Sequence, residues 1–228
     1  MGSLKLPHSG GNSMSIAAPA TNPSGDLELK LPATIGTAGQ YLKNSGTAGT
    51  LEFGGAGKIL QVVQSTSTEV ESQASGQSGS VFDGTYYDIA GTDNAGSGSV
   101  FCVKITPSAT SSKILFTSSL VIGGSSVWAF KMYRDSTALN IHDTVTSKES
   151  TTFSSRGGSG GIGLGYYSPS TLAYSYLDSP SSTSELTYKI KWGCSHSGNT
   201  IYLNQSENDS NVYRFRGSST LIVMEVSG

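Results

Sequence analysis

The stretch Glu185-Leu186-Thr187-Tyr188-Lys189-Ile190-Lys191-Trp192 alternates strictly between polar and apolar side chains. Successive side chains of a β-strand point to opposite faces, so its even-numbered residues are expected in a core and its odd-numbered residues in water. This pattern predicts a half-buried strand of an antiparallel sheet. Helical patterns are nearly absent, because no window keeps apolar residues at the i, i+3, i+4, i+7 spacing between recognisable caps.

The same alternation recurs along the chain in runs bounded by Gly, Ser, Asn or Pro. These runs are 58–64, 86–90, 99–106, 113–122, 127–134, 172–177, 200–203 and 219–226. With 185–192 they make nine strands, which predicts an antiparallel sandwich or jelly roll. Gly123-Gly124-Ser125-Ser126 is interpreted as a hairpin connection. Runs 99–106 and 127–134 are apolar on both faces, which favours central strands or strands whose outer face meets another subunit.

The first 55 residues contain no run long enough to close a core. They offer two short strand-like pieces, 15–18 and Leu27-Glu28-Leu29-Lys30-Leu31, separated by Gly, Pro, Asn and Thr. Such a segment must pack on neighbours, and identical copies of the chain are the simplest supply. The sequence therefore predicts an all-β protein with an extended β stem over 1–55 and a jelly-roll-like head over 56–228.

Two glycine patterns mark the stem. Gly36-Thr37-Ala38-Gly39 is echoed by Gly46-Thr47-Ala48-Gly49, and each copy is followed by two large apolar side chains. Short strands rolling around a threefold axis would suit this echo. The boundary with the head is placed at Gly54-Gly55-Ala56-Gly57, where glycine freedom would make a hinge.

Composition argues against several classes of partner. The net charge is −2 and only 13% of residues are charged, so there is no electrostatic case for nucleic acid or an anionic membrane. No apolar stretch approaches the roughly 20 residues of a membrane helix, and the N-terminus lacks the apolar core of a signal peptide. Cys102 and Cys194 lie far apart in sequence and are expected to be two buried thiols, with a disulfide as the alternative.

Catalytic and metal-binding patterns are weak. Gly157-Gly158-Ser159-Gly160-Gly161 spells Gly-x-Ser-x-Gly without the strand-to-helix context of a nucleophile elbow. Of the three histidines, only His196, in Cys194-x-His196, is a candidate metal ligand. It could bind a metal on a fibre axis together with the same histidine of the symmetry-related copies. No spacing of Cys and His resembles a zinc site. The expectation is a protein that is not an enzyme, with no cofactor.

One segment, 144–168, is too long for a simple turn and carries Arg156 followed by a Gly-rich run. Loops longer than about 12–15 residues without secondary structure are usually functional or mobile. Near its end the segment contains Tyr166-Tyr167, which are either the start of the next strand or a contact surface.

Several strings, in a shared order, resemble fibre proteins of marine and cyanobacterial tailed phages. In the stem they are Leu4-Lys5-Leu6-Pro7, Ile16-Ala17-Ala18-Pro19-Ala20, Leu29-Lys30-Leu31-Pro32-Ala33, Gly39-Gln40-Tyr41-Leu42-Lys43-Asn44-Ser45-Gly46 and Thr50-Leu51-Glu52-Phe53-Gly54. In the head they include 58–64, Lys131-Met132-Tyr133-Arg134-Asp135, Tyr176-Leu177-Asp178-Ser179-Pro180 and 219–226. The resemblance implies a homotrimeric virion tail fibre that attaches to a host cell surface, assembled in the host cytoplasm.

In such a fibre the stem would join other virion proteins, and head loops would bind a host-surface glycan or protein. The candidate loops are 134–140, 144–167, 194–199 and 204–211. Because aromatic and Arg side chains carry most contact energy, Arg156, Tyr166 and Tyr167 are the predicted receptor-binding residues. The alternative is a capsid decoration spike or a fibre or baseplate adaptor without a receptor. A depolymerase tailspike would need a long β-helix and paired carboxylates, and the sequence has neither.

Overall fold

The computed structural model describes residues 3–7, 9–11, 13–17, 20–21, 23–37, 40–55, 59–75, 82, 84–124, 126–139, 149–156, 166–194, 197–209 and 215–228. Every regular element in these ranges is a β-strand. The chain divides into two compact units, Met1–Ala56 and Gly57–Gly228. The described residues contain no helix with the length and hydrophobicity needed to cross a bilayer.

The first unit consists of two hairpins. Strand β1 (Ser3–Pro7) pairs with β2 (Ser13–Ala17), and β3 (Gln40–Asn44) pairs with β4 (Leu51–Gly55). The second copy of the Gly-Thr-Ala-Gly echo, Gly46–Gly49, forms the turn between β3 and β4. Gly49 needs its φ of +76° and its missing side chain, since a Cβ there would stand 2.6 Å from the Glu28 carbonyl oxygen.

The strand predicted over Leu27–Leu31 does not form within one chain. Only Lys30 bonds to the second hairpin, through its N–H to the Gly49 carbonyl and its carbonyl to the Leu51 N–H. Alternation alone predicted a strand there, but among the described residues only the backbone of residues 49–51 lies beside the segment, and the two form a single bridge. Gly54 is the only buried residue among those of this unit whose burial is described.

The second unit contains twelve strands. In chain order they are β5 (Ile59–Ser67), β6 (Glu71–Ala74), β7 (Tyr87–Asp88), β8 (Cys102–Ile105), β9 (Lys113–Gly123), β10 (Val127–Arg134), β11 (Thr137–Leu139), β12 (Phe153–Arg156), β13 (Ser170–Asp178), β14 (Leu186–Cys194), β15 (Thr200–Leu203) and β16 (Ser219–Val226). All their pairings are antiparallel.

Sheet 1 has four strand positions, which are called columns. Two of these columns each contain two successive strands, because the chain leaves the sheet in a short excursion and returns to the same position. Ile122 of β9 pairs with Ser170 of β13 and also with Leu203 of β15. Because a strand residue has one neighbour on each edge, β15 must lie on the edge of β9 opposite β13, and β16 pairs along that same edge. β6 and β5 then pair with β15 and β16. The column order is β5/β6, β15/β16, β9, β13.

Sheet 2 has the same construction. Lys191 of β14 pairs with Asp88 of β7 and with Lys131 of β10, while β8 pairs with β14 on the β7 edge. On the far edge of β10, β12 pairs with Val127–Phe130 and β11 with Met132–Arg134. The column order is β7/β8, β14, β10, β11/β12.

In chain order the eight columns are β5/β6 (1), β7/β8 (2), β9 (3), β10 (4), β11/β12 (5), β13 (6), β14 (7) and β15/β16 (8). Their order across the sheets is therefore 1-8-3-6 in sheet 1 and 2-7-4-5 in sheet 2. This is the order of a two-sheet jelly roll, which confirms the predicted fold class. The predicted hairpin at Gly123–Ser126 is wrong, because β9 belongs to sheet 1 and β10 to sheet 2. The connection crosses between the sheets, and φ of +129° at Gly124 makes the bend possible.

The core lies between the two sheets and follows the predicted parity. The even residues of β9, β10 and β14 and the odd residues of β16 are buried. Phe116 of sheet 1 stacks on Tyr188 of sheet 2 with ring centroids 6.2 Å apart. At one side of the sandwich, the rings of Phe130, Phe153 and Tyr174 stack in succession at 4.7 and 5.2 Å, which joins the last columns of the two sheets.

A buried polar group also joins the sheets. Arg134 Nη1 and the Tyr188 hydroxyl both donate to Asp178 Oδ2, at 2.6 and 2.7 Å. Arg134 and Tyr188 are register partners in sheet 2, whereas Asp178 ends β13 in sheet 1. Burial, followed by the bond to Asp178, raises the pKa of Tyr188. The three side chains therefore act as one polar link across the apolar core.

Glu225 is a second buried carboxylate, 1% exposed. Burial alone would raise its pKa, but hydrogen bonds from Ser108, Ser112 and Gln61 hold the pKa of Glu225 at about 2. Since this value is below the ordinary 4.5, the stabilisation is complete above about pH 4.5 and is lost as pH falls toward 2.

We expect Glu225→Gln to flatten the acid side of the stability profile. The free energy of unfolding, measured in urea at pH 3 and pH 6, should differ less in this variant than in the parent. Exposed Glu185→Gln is the matched control and should retain the parental difference. An unchanged acid-side fall in Glu225→Gln would contradict this assignment.

Cys102 and Cys194 are both buried and form no disulfide, which confirms the expectation of two thiols. They lie on β8 and β14, where their register partners are Lys189 and Trp128. Burial raises the pKa of both thiols, so both remain protonated and unreactive at neutral pH.

Candidate functional site

Four connections and the excursion between β15 and β16 gather at one end of the jelly roll, which is called the loop end. Its described residues include Ser75, Gly124, Ser126, Tyr166–Ser168 and Asn199, together with 204–209 and 215–218 of the excursion. The Ser75 N–H donates to the Asn199 carbonyl at 2.9 Å, and Asn199 Nδ2 donates to Ser126 Oγ at 3.3 Å. These bonds tie three of the connections together and hold the base of the loop end on the sandwich.

Tyr166 and Tyr167 lie at the loop end, just before β13. Their rings are perpendicular, with centroids 4.6 Å apart, and both side chains are partly exposed. The Asn208 N–H donates to the Tyr166 carbonyl at 2.8 Å, so the predicted loops 144–167 and 204–211 meet there. Two partly exposed rings at a perpendicular angle present both a ring face and a ring edge at the loop end.

Arg156 does not lie in a loop, as its assignment to the long segment 144–168 implied. It ends strand β12, opposite Val127 of β10. The segment is held on the sheet because Phe153 stacks on Phe130, while Thr151 Oγ1 donates to the Phe130 carbonyl at 2.6 Å. β-Branched and aromatic residues in Thr151-Thr152-Phe153 were the sequence signal for this strand. β12 ends toward the loop end, on another column from Tyr166.

Sequence reasoning missed Phe215 and Arg216, in the excursion between β15 and β16. Phe215 is 57% exposed, and Arg216 forms an ion pair with Asp209, the residue after Asn208. An exposed ion pair contributes at most about 1 kcal/mol, and it uses only part of the five donors of a guanidinium. The adjacent aromatic and Arg residues were a usable signal that was not recognised.

Asn204 fixes the base of this excursion. It is fully buried with φ of +63°. Its Nδ2 donates to the carbonyls of Ser67 and Glu69 at 3.0 and 2.8 Å, and its Oδ1 accepts from Ser219 Oγ at 2.7 Å. Its burial also removes the sequon Asn204-Gln205-Ser206 as a glycosylation site of the folded chain.

The predicted candidate loop 134–140 lies at the opposite end of the sandwich. There the Asp135 N–H donates to the Thr187 carbonyl at 2.7 Å, and the Thr187 N–H donates to Asp135 Oδ1 at 2.8 Å. The candidate loops therefore do not form a single surface. Three of them reach the loop end, and 134–140 does not.

A polar groove of about 380 Å³ lies between β5 and the excursion 89–101, lined by Gln61, Asp93, Asn94, Lys104 and Glu185 among others. Asp93 accepts from the N–H groups of Ala95 and Ser97 and pairs with Lys104 at 2.9 Å. The Lys104 N–H donates to Asn94 Oδ1 at 2.6 Å. Asp93, Asn94 and Lys104 thus stabilise the excursion itself.

The candidate metal ligand His196 lies outside the described residues. Within the described ranges, no three His, Cys, Asp or Glu side chains are grouped as metal ligands. The neighbouring candidate Cys194 is 2% exposed, and its raised pKa disfavours the thiolate that would bind a metal.

No protein-family profile matches this chain, and no curated protein matches its sequence. Three solved structures are loosely similar in fold. The structure of infectious bursal disease virus Gx strain has 12% identity and a TM-score of 0.35, and the match covers 83% of this chain and 42% of that chain. For the VP2 subviral particle of infectious bursal disease virus the identity is 11%, the TM-score 0.34 and the coverage 82% and 43%, and for the Gt strain of that virus they are 13%, 0.34, and 96% and 48%. The chain spans less than half the length of these chains. The fold assignment rests on the strand order above.

Proposed function

We propose that this chain is a subunit of a homotrimeric virion fibre, most specifically a phage tail fibre that binds a host-surface glycan or protein through its loop end. The observation that carries the proposal is the exposure of large apolar side chains in the first unit. Leu27, Leu29, Leu31 and Ile35 are 82, 62, 72 and 96% exposed. Apolar surface on this scale favours burial against another chain.

Identical copies are the partners that fit this unit best. The backbone of Leu27–Leu31 is extended, and only Lys30 is bonded to the second hairpin. Equivalent segments from neighbouring copies would pair that backbone and bury the three leucines against each other. A closed threefold arrangement supplies both contacts without leaving an open edge.

The loop end is the proposed recognition surface. Tyr166 and Tyr167 remain the predicted receptor-binding residues, and Phe215 with Arg216 extends the same surface. Arg156 is retained as a predicted contact at the end of β12. Binding of this kind needs neither catalysis nor a cofactor, and the net charge of −2 provides no attraction for nucleic acid. The first unit is the proposed attachment to other virion proteins.

The trimer is tested on the full chain by size-exclusion chromatography with light scattering. We expect the mass of three chains. Replacing Leu29 by Asp should shift the mass toward a single chain, whereas Glu28→Gln should leave it unchanged. A parent chain that stays monomeric at micromolar concentration would refute the fibre proposal.

Recognition is tested by adsorption of the labelled full chain to a glycan array and to a panel of marine cyanobacterial cells. Tyr166→Ala combined with Tyr167→Ala is expected to weaken binding at least tenfold, because aromatic contacts dominate such surfaces. Tyr41→Ala, which removes an exposed ring of the first unit, is the matched control. Binding unaffected by the tyrosine pair would place recognition elsewhere, and no binding by a trimeric parent would favour the decoration spike or adaptor.

A further inference from the structure

We propose that the outward face of sheet 1 is the surface at which copies of this chain meet, and that it lines the threefold axis of the head. The proposal rests on the trimer of the proposed function and assigns it a contact surface. The face consists of the outward residues of β5, β16, β9 and β13.

An apolar row crosses this face from edge to edge. In register, Val62 of β5 lies beside Met224 of β16, Met224 beside Leu115 of β9, and Leu115 beside Leu177 of β13. All four side chains point away from the core, since their strand neighbours fill it. The two ends of the row are the most open, with Val62 58% and Leu177 48% exposed.

The face is also nearly free of charge. The neighbouring rows are Gln64, Ile222, Thr117 and Ser175, then Thr66, Thr220, Ser119 and Ala173. Lys113 is the only charged residue on the outward positions of these four strands, and it lies at one end of β9. Depletion of charge around an apolar centre is characteristic of the core of a protein–protein interface.

The outward face of sheet 2 differs in both respects. It carries Lys131, Lys189 and Lys191, which pair with Glu149 and Asp88 at 2.6–3.5 Å. The chain itself covers part of it: Lys131 Nζ lies 4.2 Å from the centroid of the Tyr86 ring, and the Phe82 ring fills the space over Gly193. Among the described residues, the outward face of sheet 2 is charged and partly covered. The outward face of sheet 1 is neutral and bare along the row from Val62 to Leu177, while Gly217 of the β15–β16 excursion packs on Val121 at its loop end.

A second copy of this chain fits the bare face better than a charged partner does. Equivalent residues of the copies approach each other close to a symmetry axis, so like charges there repel and neutral side chains are favoured on a face that lines the axis. Four columns about 4.8 Å apart and strands of nine residues at about 3.3 Å each give roughly 550 Å² in flat projection. That flat area is about two-thirds of the roughly 800 Å² that each partner contributes to a standard stable interface, and the first unit would add further contact area to the trimer.

Threefold symmetry predicts which residues of the apolar row contact each other in neighbouring copies. When three identical faces surround an axis, one edge of each copy meets the opposite edge of the next. Val62 of one copy should therefore contact Leu177 of its neighbour, while Met224 and Leu115 point toward the axis. A twofold pairing would instead bring equivalent residues together.

The test is cysteine cross-linking of the full chain with a short bis-maleimide. Val62→Cys combined with Leu177→Cys should give covalent dimers and trimers on a denaturing gel. Each single variant should give no more cross-linked product than the parent, whose cysteines are buried. The pair Ser154→Cys and Thr187→Cys, on the outward face of sheet 2, is the matched control and should give none.

The outcomes separate this proposal from the proposed function. A parent chain that is trimeric by light scattering, with no cross-link from the Val62 and Leu177 pair, would overturn the contact face and leave the fibre intact. A cross-linked dimer from Val62→Cys alone would overturn the threefold arrangement of the face. A monomeric parent would refute the fibre itself.

A second variant keeps the proposal testable if the cysteine pair does not fold. Leu177→Glu should convert the trimer toward monomer, because each of the three contacts would bury an unpaired carboxylate against Val62 of the neighbouring copy. Exposed Ser154→Glu on sheet 2 should leave the trimer unchanged. A Leu177→Glu chain that remains a trimer would overturn the contact.

Discussion

Asp178→Ala is expected to lower the free energy of unfolding by about 3–5 kcal/mol, since it leaves the partly buried Arg134 cation and the fully buried Tyr188 hydroxyl without their shared acceptor. The Arg134 guanidinium and the Tyr188 hydroxyl both donate to Asp178 Oδ2, at 2.6 and 2.7 Å. The Tyr188 side chain is fully buried and cannot recover the bond from water.

Urea unfolding of the full chain at one fixed protein concentration measures this effect. Tyr188→Phe removes a single hydrogen bond and should cost about 1–2 kcal/mol, well below the cost of Asp178→Ala. Glu185→Ala, an exposed acid seven residues further on, should stay within about 0.5 kcal/mol of the parent. A cost below about 1 kcal/mol for Asp178→Ala would show that the link does not hold the two sheets together.

Asn204→Ala should cost about 3–5 kcal/mol through two separate effects. Three partners lose hydrogen bonds: the buried Ser67 carbonyl and Ser219 Oγ, and the carbonyl of exposed Glu69. In addition, alanine must adopt the φ of +63° that asparagine tolerates, at about 1–2 kcal/mol.

Asn204→Gly separates the two effects, since glycine removes the hydrogen bonds without backbone strain. It should be less destabilising than Asn204→Ala by about 1 kcal/mol. The same urea titration, with Ser197→Ala at an exposed position of the β14–β15 connection as control, measures both. Equal stability of the alanine variant and the parent would mean that the excursion is anchored by its main chain alone.

The predicted strands 127–134, 200–203 and 219–226 coincide with β10, β15 and β16. In each of these strands the side chains alternate between a buried face and an open one. Burial of one face therefore determines which residues point into the core and where the strand begins and ends. Strand β6, Glu71–Ala74, was missed because it has no apolar alternation and forms by pairing its backbone with β15. The error at Gly123–Ser126 has a related cause, since local pattern does not say which neighbour a strand pairs with.

The candidate site was predictable in part. Tyr166 and Tyr167 were recognised as large rings beside a Gly-rich segment, and the structure places them against Asn208. Arg156 was assigned to a loop because polar residues around it hid a strand that is held by Phe153 and Thr151. Phe215 and Arg216 were missed because their proximity to Tyr166 depends on the long-range folding of the β15–β16 excursion.

In the interrupted columns, the length of the chain can change without a change in the register of the sheets. Tyr87–Asp88 and Cys102–Ile105 both pair with β14, although the residues between them leave the sheet and return. The isolated bridge between Ala90 and Val100 closes that excursion at its base. Residues can be gained or lost beyond the bridge without shifting any pair in the sheet. Such a fold can exchange whole surface segments during evolution while its sandwich remains unchanged.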